Sequence, residues 1–135
     1  MKARRIFETI IYADDLEESK RFYGTVFGLP LISSSEICLA FRLEGSVLLV
    51  FDRKRSCEAG RAVPAHGTEG AGHVAFAMQE SEFGDWNRHL TSHEVEIEKF
   101  VEWDDGGTSI YVRDPSGNSV ELAPPTLWGG GWDFS

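Results

Sequence analysis

The chain repeats one order of secondary structure, and this repeat restricts its fold more than any other feature. The pattern of apolar residues in the first half predicts a strand over 6–13, a helix over 16–27 and strands over 31–34, 37–43 and 46–52. The second half predicts the same order: a strand over 72–78, a helix over 81–91 and strands over 95–103, 108–113 and 118–123. Two βαβββ modules of similar length indicate an internal duplication.

The two modules fit within a single domain, since 135 residues are one domain's worth of chain. We expect module one at about 4–52, a linker at 53–70, module two at about 71–124 and an aromatic tail at 125–135. The linker has no hydrophobic periodicity and is rich in Arg, Lys, Ala, Gly and Pro, so part of it is a candidate lid. Trp128, Trp132 and Phe134 are too apolar for a free tail, and we expect them to pack on this chain or on a partner.

Composition excludes several classes of partner. A net charge of -9 argues against nucleic acid and against an anionic membrane surface. No apolar run approaches the roughly 20 residues of a membrane-spanning helix, and no signal-peptide core follows the first residues, so we expect a cytoplasmic location. The spacing of Cys38 and Cys57 suggests neither a metal clip nor a disulfide, which predicts two free thiols.

The stretch from Arg113 to Leu122 predicts a tight turn followed by a strand. Pro115 restricts φ and Gly117 permits a positive φ, while Asp114 and Asn118 can bond to their own backbone. In the strand, side chains alternate, so Glu121 points away from the apolar layer. Glu121 is then either a solvated glutamate on an edge strand or a residue that points into a functional site.

Aligning the two modules gives four equivalent positions. When the strand-to-helix turns of the two modules are aligned, Glu8 in module one is equivalent to His73 in module two. When the last strands are aligned, Leu49 is equivalent to Glu121. His73 shares a strand face with Ala75 and Ala77, whose small side chains leave room for a ligand. Glu8, His73 and Glu121 are therefore possible ligands, and each lies on a strand face that does not pack against a helix.

Three segments, ETIIYADDLEESKRFYGTVFGLPL, GHVAFAM and YVRDPSGNSVEL, carry a resemblance to a known family. The chain resembles the vicinal oxygen chelate superfamily of glyoxalases, bleomycin resistance proteins and extradiol dioxygenases, over nearly its whole length to about Pro124. The resemblance implies an α+β fold in which two βαβββ modules form an eight-stranded cupped mixed sheet with helices on the convex side. It also implies a homodimer and, in many members, a divalent metal.

The resemblance assigns candidate metal ligands residue by residue. His73 and Glu121 match ligand positions of the family, and Glu8 stands where the family most often has His. Leu49 stands where glyoxalases have Glu, which counts against glyoxalase I itself. One histidine and two carboxylates favour Mn²⁺, Fe²⁺, Zn²⁺ or Mg²⁺. The competing interpretation is an ordinary strand histidine beside two carboxylates in a wet cavity.

Other residues have two interpretations each. His66, in the linker, is either a further ligand or acid/base, or an exposed loop histidine. Tyr111 is either a catalytic hydrogen-bond donor at the mouth of the cup or a core aromatic. Glu8 could also serve as a general acid or base if substrate displaced it from the metal.

The function expected from these features is a metal-dependent enzyme that acts on an oxygenated small molecule by lyase, isomerase or ring-cleaving chemistry. The alternative is a metal-free protein of the bleomycin-resistance kind, which binds or sequesters a small molecule. Metal content of the purified protein would separate the two.

Overall fold

The computed structural model describes residues 1–104 and 106–134. The chain divides into two compact units, Met1–Gly72 and His73–Ser135. Each unit contains one βαβββ module, so the internal duplication and the α+β class are confirmed. No helix in the described part of the chain is long and apolar enough to span a membrane.

The first unit contains one four-stranded mixed sheet. Its elements are β1 (Glu8–Ala13), α1 (Leu16–Arg21), a π-helical turn (Phe22–Val26), β2 (Leu31–Ser34), β3 (Cys38–Leu43), β4 (Ser46–Asp52) and α2 (Arg53–Ser56). The strand order is β1-β4-β3-β2, with β1 parallel to β4 and the other neighbours antiparallel.

The helix predicted over 16–27 changes geometry halfway. Asp15 caps its start by accepting hydrogen bonds from the backbone N–H groups of Glu17 and Glu18. After Arg21 the turns widen, and the Phe27 N–H donates to the Phe22 carbonyl at 3.1 Å. In a regular α-helix two residues five apart would point about 140° apart. The wider turn brings both rings, 5.1 Å apart between centroids, into the core beside Tyr23.

The segment predicted as a linker begins with ordered structure. The Asp52 side chain accepts hydrogen bonds from the backbone N–H groups of Lys54 and Arg55, at 3.0 and 2.9 Å, and so starts the short helix α2. The segment predicted as a linker over 53–70 therefore starts with one short helix. Asp52, at the end of β4, is a typical helix N-cap residue. The linker-like composition of the residues after it led us to overlook this signal.

The second unit repeats the topology of the first. It contains β5 (His73–Ala77), a 3-10 turn (Glu80–Glu82), α3 (Phe83–Ser92), β6 (Ile97–Glu102), β7 (Thr108–Arg113), β8 (Ser119–Ala123) and a second 3-10 turn (Pro125–Trp128). Its strand order, β5-β8-β7-β6, matches that of the first unit, again with a parallel first pair.

The strand registers confirm how the two modules align. Glu8 pairs with Val47 in the first sheet, and His73 pairs with Ser119 in the second. Two residues further along, Leu49 and Glu121 occupy equivalent places. The turn before β8 also forms as predicted, since Asp114 accepts hydrogen bonds from the backbone N–H groups of Ser116 and Asn118 at 2.9 and 2.8 Å.

Candidate metal and ligand site

Glu121 lies in the middle of the second sheet. Its strand, β8, runs between β5 and β7, and its Cα partners are Ala75 and Tyr111. Val120 and Leu122 point into the core on the opposite face, so Glu121 points away from the apolar layer as predicted. Its side chain is only 5% exposed. The alternative of a solvated edge-strand glutamate is wrong, because an inner strand carries the residue and its carboxylate is covered.

His73 and Glu121 form a close pair. His73 Nε2 lies 3.2 Å from Glu121 Oε2, and His73 Nδ1 lies 3.2 Å from the Ser119 carbonyl oxygen. A carbonyl oxygen only accepts, so Nδ1 donates there, and Nε2 is left facing a carboxylate. Two lone pairs at this distance repel each other unless a proton or a cation lies between them. The pair is thus suited to share one positive charge.

The second carboxylate oxygen of Glu121 supports a cation at this place. Oε1 is buried and has no hydrogen-bond partner among the residues that the structure describes. A buried, unpartnered carboxylate oxygen is costly unless something positive or hydrogen-bonding reaches it. The donor set of imidazole nitrogen and carboxylate oxygen also suits Mn²⁺, Fe²⁺, Zn²⁺ or Mg²⁺. These two residues therefore fit a divalent ion.

Tyr111 lies next to the His73–Glu121 pair. Its ring is nearly parallel to the His73 ring, with centroids 6.3 Å apart. Burial, together with hydrogen bonding to Glu121 and the charge of that carboxylate, raises the pKa of Tyr111 to about 12, against a smaller opposing effect of Ser109. The hydroxyl therefore keeps its proton at neutral pH and can donate to an oxygen atom. Half-buried beside two polar side chains, Tyr111 is not a core aromatic.

A cavity of about 430 Å³ adjoins the pair. Its size falls within the range of small-molecule sites. One end carries His73 and Glu121, the floor consists of alanines from β5 and β8, and the remaining wall comes from the chain after β8. The lining residues are His73, Ala75, Phe76, Ala77, Glu121, Ala123, Pro124, Pro125, Leu127, Trp128, Trp132 and Phe134.

The aromatic tail is the part of this site that the sequence did not assign. Its apolar residues predicted packing on some surface, and in the structure they line the cavity of their own unit. The apolar character of these three side chains indicated that they pack on a surface. The local sequence pattern could not show which surface that is.

The other predicted site residues belong to the first unit. Glu8 is exposed on β1. His66 is half-buried, with its Nδ1 2.7 Å from the Tyr12 hydroxyl and its ring edge-on to Phe51 at 4.6 Å. The interpretation of His66 as an exposed loop histidine is wrong, because Tyr12 and Phe51 hold its ring.

The three residues predicted as metal ligands, Glu8, His73 and Glu121, do not all lie within one unit. Among the described residues of either unit, no three or more His, Cys, Asp or Glu side chains cluster in a way that would hold a metal ion. The second unit supplies His73 and Glu121, and the first carries Glu8. Both cysteines are free, as expected, and burial raises the pKa of Cys38 to about 11.

The fold agrees with the family that the sequence motifs indicated. Residues 5–122 match the Glyoxalase/Bleomycin resistance protein/Dioxygenase superfamily, and the chain belongs to that family.

Several known proteins are similar to the chain. The metallothiol transferase FosB of Staphylococcus haemolyticus is 25% identical over 114 residues, which are 84% of this chain and 78% of that protein. The crystal structure of lactoylglutathione lyase from Agrobacterium tumefaciens superposes with a TM-score of 0.91 at 35% identity, covering 96% of this chain and all of that one. A glyoxalase-related enzyme from Fulvimarina pelagi superposes with a TM-score of 0.74 at 26% identity, covering 98% and 96%.

Proposed function

We propose that the protein is a metal-dependent enzyme of the lyase or transferase type, acting on an oxygenated small molecule, with His73, Glu121 and Glu8 as the metal ligands. The observation that carries the proposal is the 3.2 Å approach of His73 Nε2 to Glu121 Oε2, beside a second carboxylate oxygen that is buried and lacks a partner among the described residues.

The surroundings of this pair suit a metal ligand set. The Nδ1–H group of His73 donates to the Ser119 carbonyl, which fixes the tautomer that leaves Nε2 free to bind. Metal-binding histidines usually have such a partner on the other ring nitrogen. The ring is also half-exposed, at 51%, so a ligand can reach it from the cavity.

Glu8 is the third ligand in this proposal because of the repeat. It pairs in β1 with Val47 as His73 pairs in β5 with Ser119, so the two side chains hold equivalent positions. Its carboxylate is exposed and can also accept a proton from a substrate. The family also leads us to expect a homodimer.

A divalent ion bound here would act as a Lewis acid that polarises a substrate oxygen. The protein's own groups do the rest. The Tyr111 hydroxyl holds its proton and hydrogen-bonds to Glu121, so it could donate to a substrate oxygen only by turning from that carboxylate. The alanine floor leaves space for the substrate beside Glu121. The names of two similar proteins, a metallothiol transferase and a lactoylglutathione lyase, support a metal and suggest a thiol-derived substrate.

Calorimetric titration with Mn²⁺, Fe²⁺ and Zn²⁺ tests the proposal. We expect the wild-type protein to bind at least one of these ions, and each of His73→Ala, Glu121→Gln and Glu8→Gln to weaken binding by more than about a hundredfold. Glu17→Gln, on the exposed side of α1, is the matched control and should bind like wild type. Binding by the His73→Ala protein with wild-type affinity would refute the proposal.

A second function is favoured by the largely apolar lining of the cavity. In that case His73 and Glu121 form a salt bridge, and the protein binds an apolar small molecule without a metal. Wild-type protein that binds none of the three ions but still binds a small aromatic probe would support this alternative.

A further inference from the structure

The chain after β8 is held against the second unit at a defined place. Pro124 passes so close to Gly107 that a Cβ atom there would lie 2.7 Å from the Pro124 Cβ. Two residues later, the Thr126 hydroxyl donates to the Gly106 carbonyl at 3.1 Å. These two contacts direct the following residues toward the face of β5 and β8 that carries His73 and Glu121.

The aromatic side chains of this tail remain largely exposed. Trp128 is 81% exposed, Trp132 57% and Phe134 49%, although all three line the cavity. The Trp132 indole N–H donates to the Trp128 carbonyl at 3.2 Å, which limits the positions of its ring. The rings of Trp132 and Phe134 are parallel within 2°, with centroids 6.5 Å apart. Two flat faces therefore share one orientation beside the cavity.

From this arrangement we infer that the tail is the specificity-determining wall of the site, and that the ligand is a planar apolar or aromatic molecule carrying adjacent oxygen atoms at one end. The oxygen end rests on the proposed function, because it would meet His73 and Glu121. The planar end rests on the tail alone.

Chemistry and space both favour this class of ligand. Flat rings gain from stacking on Trp and Phe beyond the area they bury. The floor of Ala75, Ala77 and Ala123 provides no polar group that a sugar-like ligand would need along its length. The polar groups are concentrated at one end of the cavity. A ligand that is polar throughout would leave its remaining groups against aromatic carbon, at a cost in affinity.

A matched pair of probes tests the inference. Acetohydroxamate and benzohydroxamate present the same two oxygens but differ in a methyl against a phenyl group. We expect wild-type protein, titrated by calorimetry with and without Mn²⁺, to bind benzohydroxamate about tenfold tighter or more. Trp132→Ala and Phe134→Ala should reduce this ratio to about threefold or less, and Trp132→Phe should restore most of it.

Phe100→Ala is the matched control. Phe100 is 45% exposed, close to the 49% of Phe134, but it lies on β6 and does not line the cavity. Its removal should leave the ratio unchanged. Thermal unfolding of each variant checks that the fold persists, and the exposed tail positions make a folding failure easy to separate from a binding effect.

Mn²⁺ affinity separates this inference from the proposed function. The tail variants should keep wild-type Mn²⁺ affinity, whereas His73→Ala should lose it and keep the phenyl preference in metal-free protein. A preference for the phenyl probe without any metal binding would refute the proposed function and support the inference that the tail determines specificity. Equal affinities for the two hydroxamates in wild type, or an unchanged ratio in both tail variants, would overturn the inference about the tail.

Discussion

Replacing Gly107 by Ala should destabilise the protein through one contact. Gly107 has φ +82°, and an added Cβ would lie 2.7 and 2.9 Å from two carbons of the Pro124 ring. Real Cβ atoms do not approach other carbons so closely, and a proline ring cannot rotate away. Either the backbone at Gly107 or the start of the tail must move.

The magnitude follows from two costs and one gain. A non-glycine residue at this φ costs about 1–2 kcal/mol, and overpacking against a rigid neighbour costs about 1–3 kcal/mol more. Alanine lowers the entropy of the unfolded chain, which returns about 0.4–1 kcal/mol. The net loss of unfolding free energy should be about 3 kcal/mol, within a range of about 1–4.5 kcal/mol.

Gly117→Ala isolates the contact. Gly117 has nearly the same φ, +84°, but apart from its two chain neighbours no described residue has an atom within 4 Å of the position its Cβ would take. It should therefore show only the backbone cost, about 1 kcal/mol after the same gain. Urea unfolding followed by circular dichroism, with equal slopes for both variants, gives the two free energies. Equal destabilisation of the two proteins would show that Pro124 does not press on Gly107, and would refute the account of how the tail is anchored.

Two further predictions concern the cysteines and the turn before β8. Iodoacetamide at pH 8 should modify exposed Cys57 and leave Cys38 unmodified, because a pKa of about 11 keeps the Cys38 thiol protonated. Labelling of Cys38 should rise only as the pH approaches 11, and peptide mass spectrometry measures both reactions. Asp114→Ala should cost about 2–4 kcal/mol in urea unfolding, since the buried carboxylate accepts hydrogen bonds from Ser116 N, Asn118 N and Asn118 Nδ2. The exposed Asp85→Ala should change stability by no more than about 0.5 kcal/mol. A similar cost for both aspartates would contradict the role given to the turn.

Much of the fold could be predicted because its signals are local. Alternation along 118–123 put Glu121 on the face opposite Val120 and Leu122, and the strand registers agree. The repeat then aligned His73 with Glu8 across 65 positions of chain, since one set of turns and strand lengths occurs twice. Local patterns failed at the π-helical turn after Arg21, where aromatic packing overrode regular helix spacing.

The candidate site was only partly accessible to the same reasoning. The residue types and faces of His73 and Glu121 could be predicted, and their 3.2 Å approach is a finding of the structure. Glu8 as a third ligand stays a prediction. The contact of His66 with Tyr12, 54 residues away, had no local signal.

The sequence by itself determined two βαβββ modules, the turn at Asp114 and which side chains share a face with Glu121, because strand alternation and turn chemistry act between near neighbours. Only the tertiary structure decided that Glu121 is buried with one oxygen that no described residue partners, and that the aromatic side chains of the tail line the same cavity. Burial and cavity shape depend on which distant segments meet, and that choice is made by packing of the whole unit rather than by any short pattern.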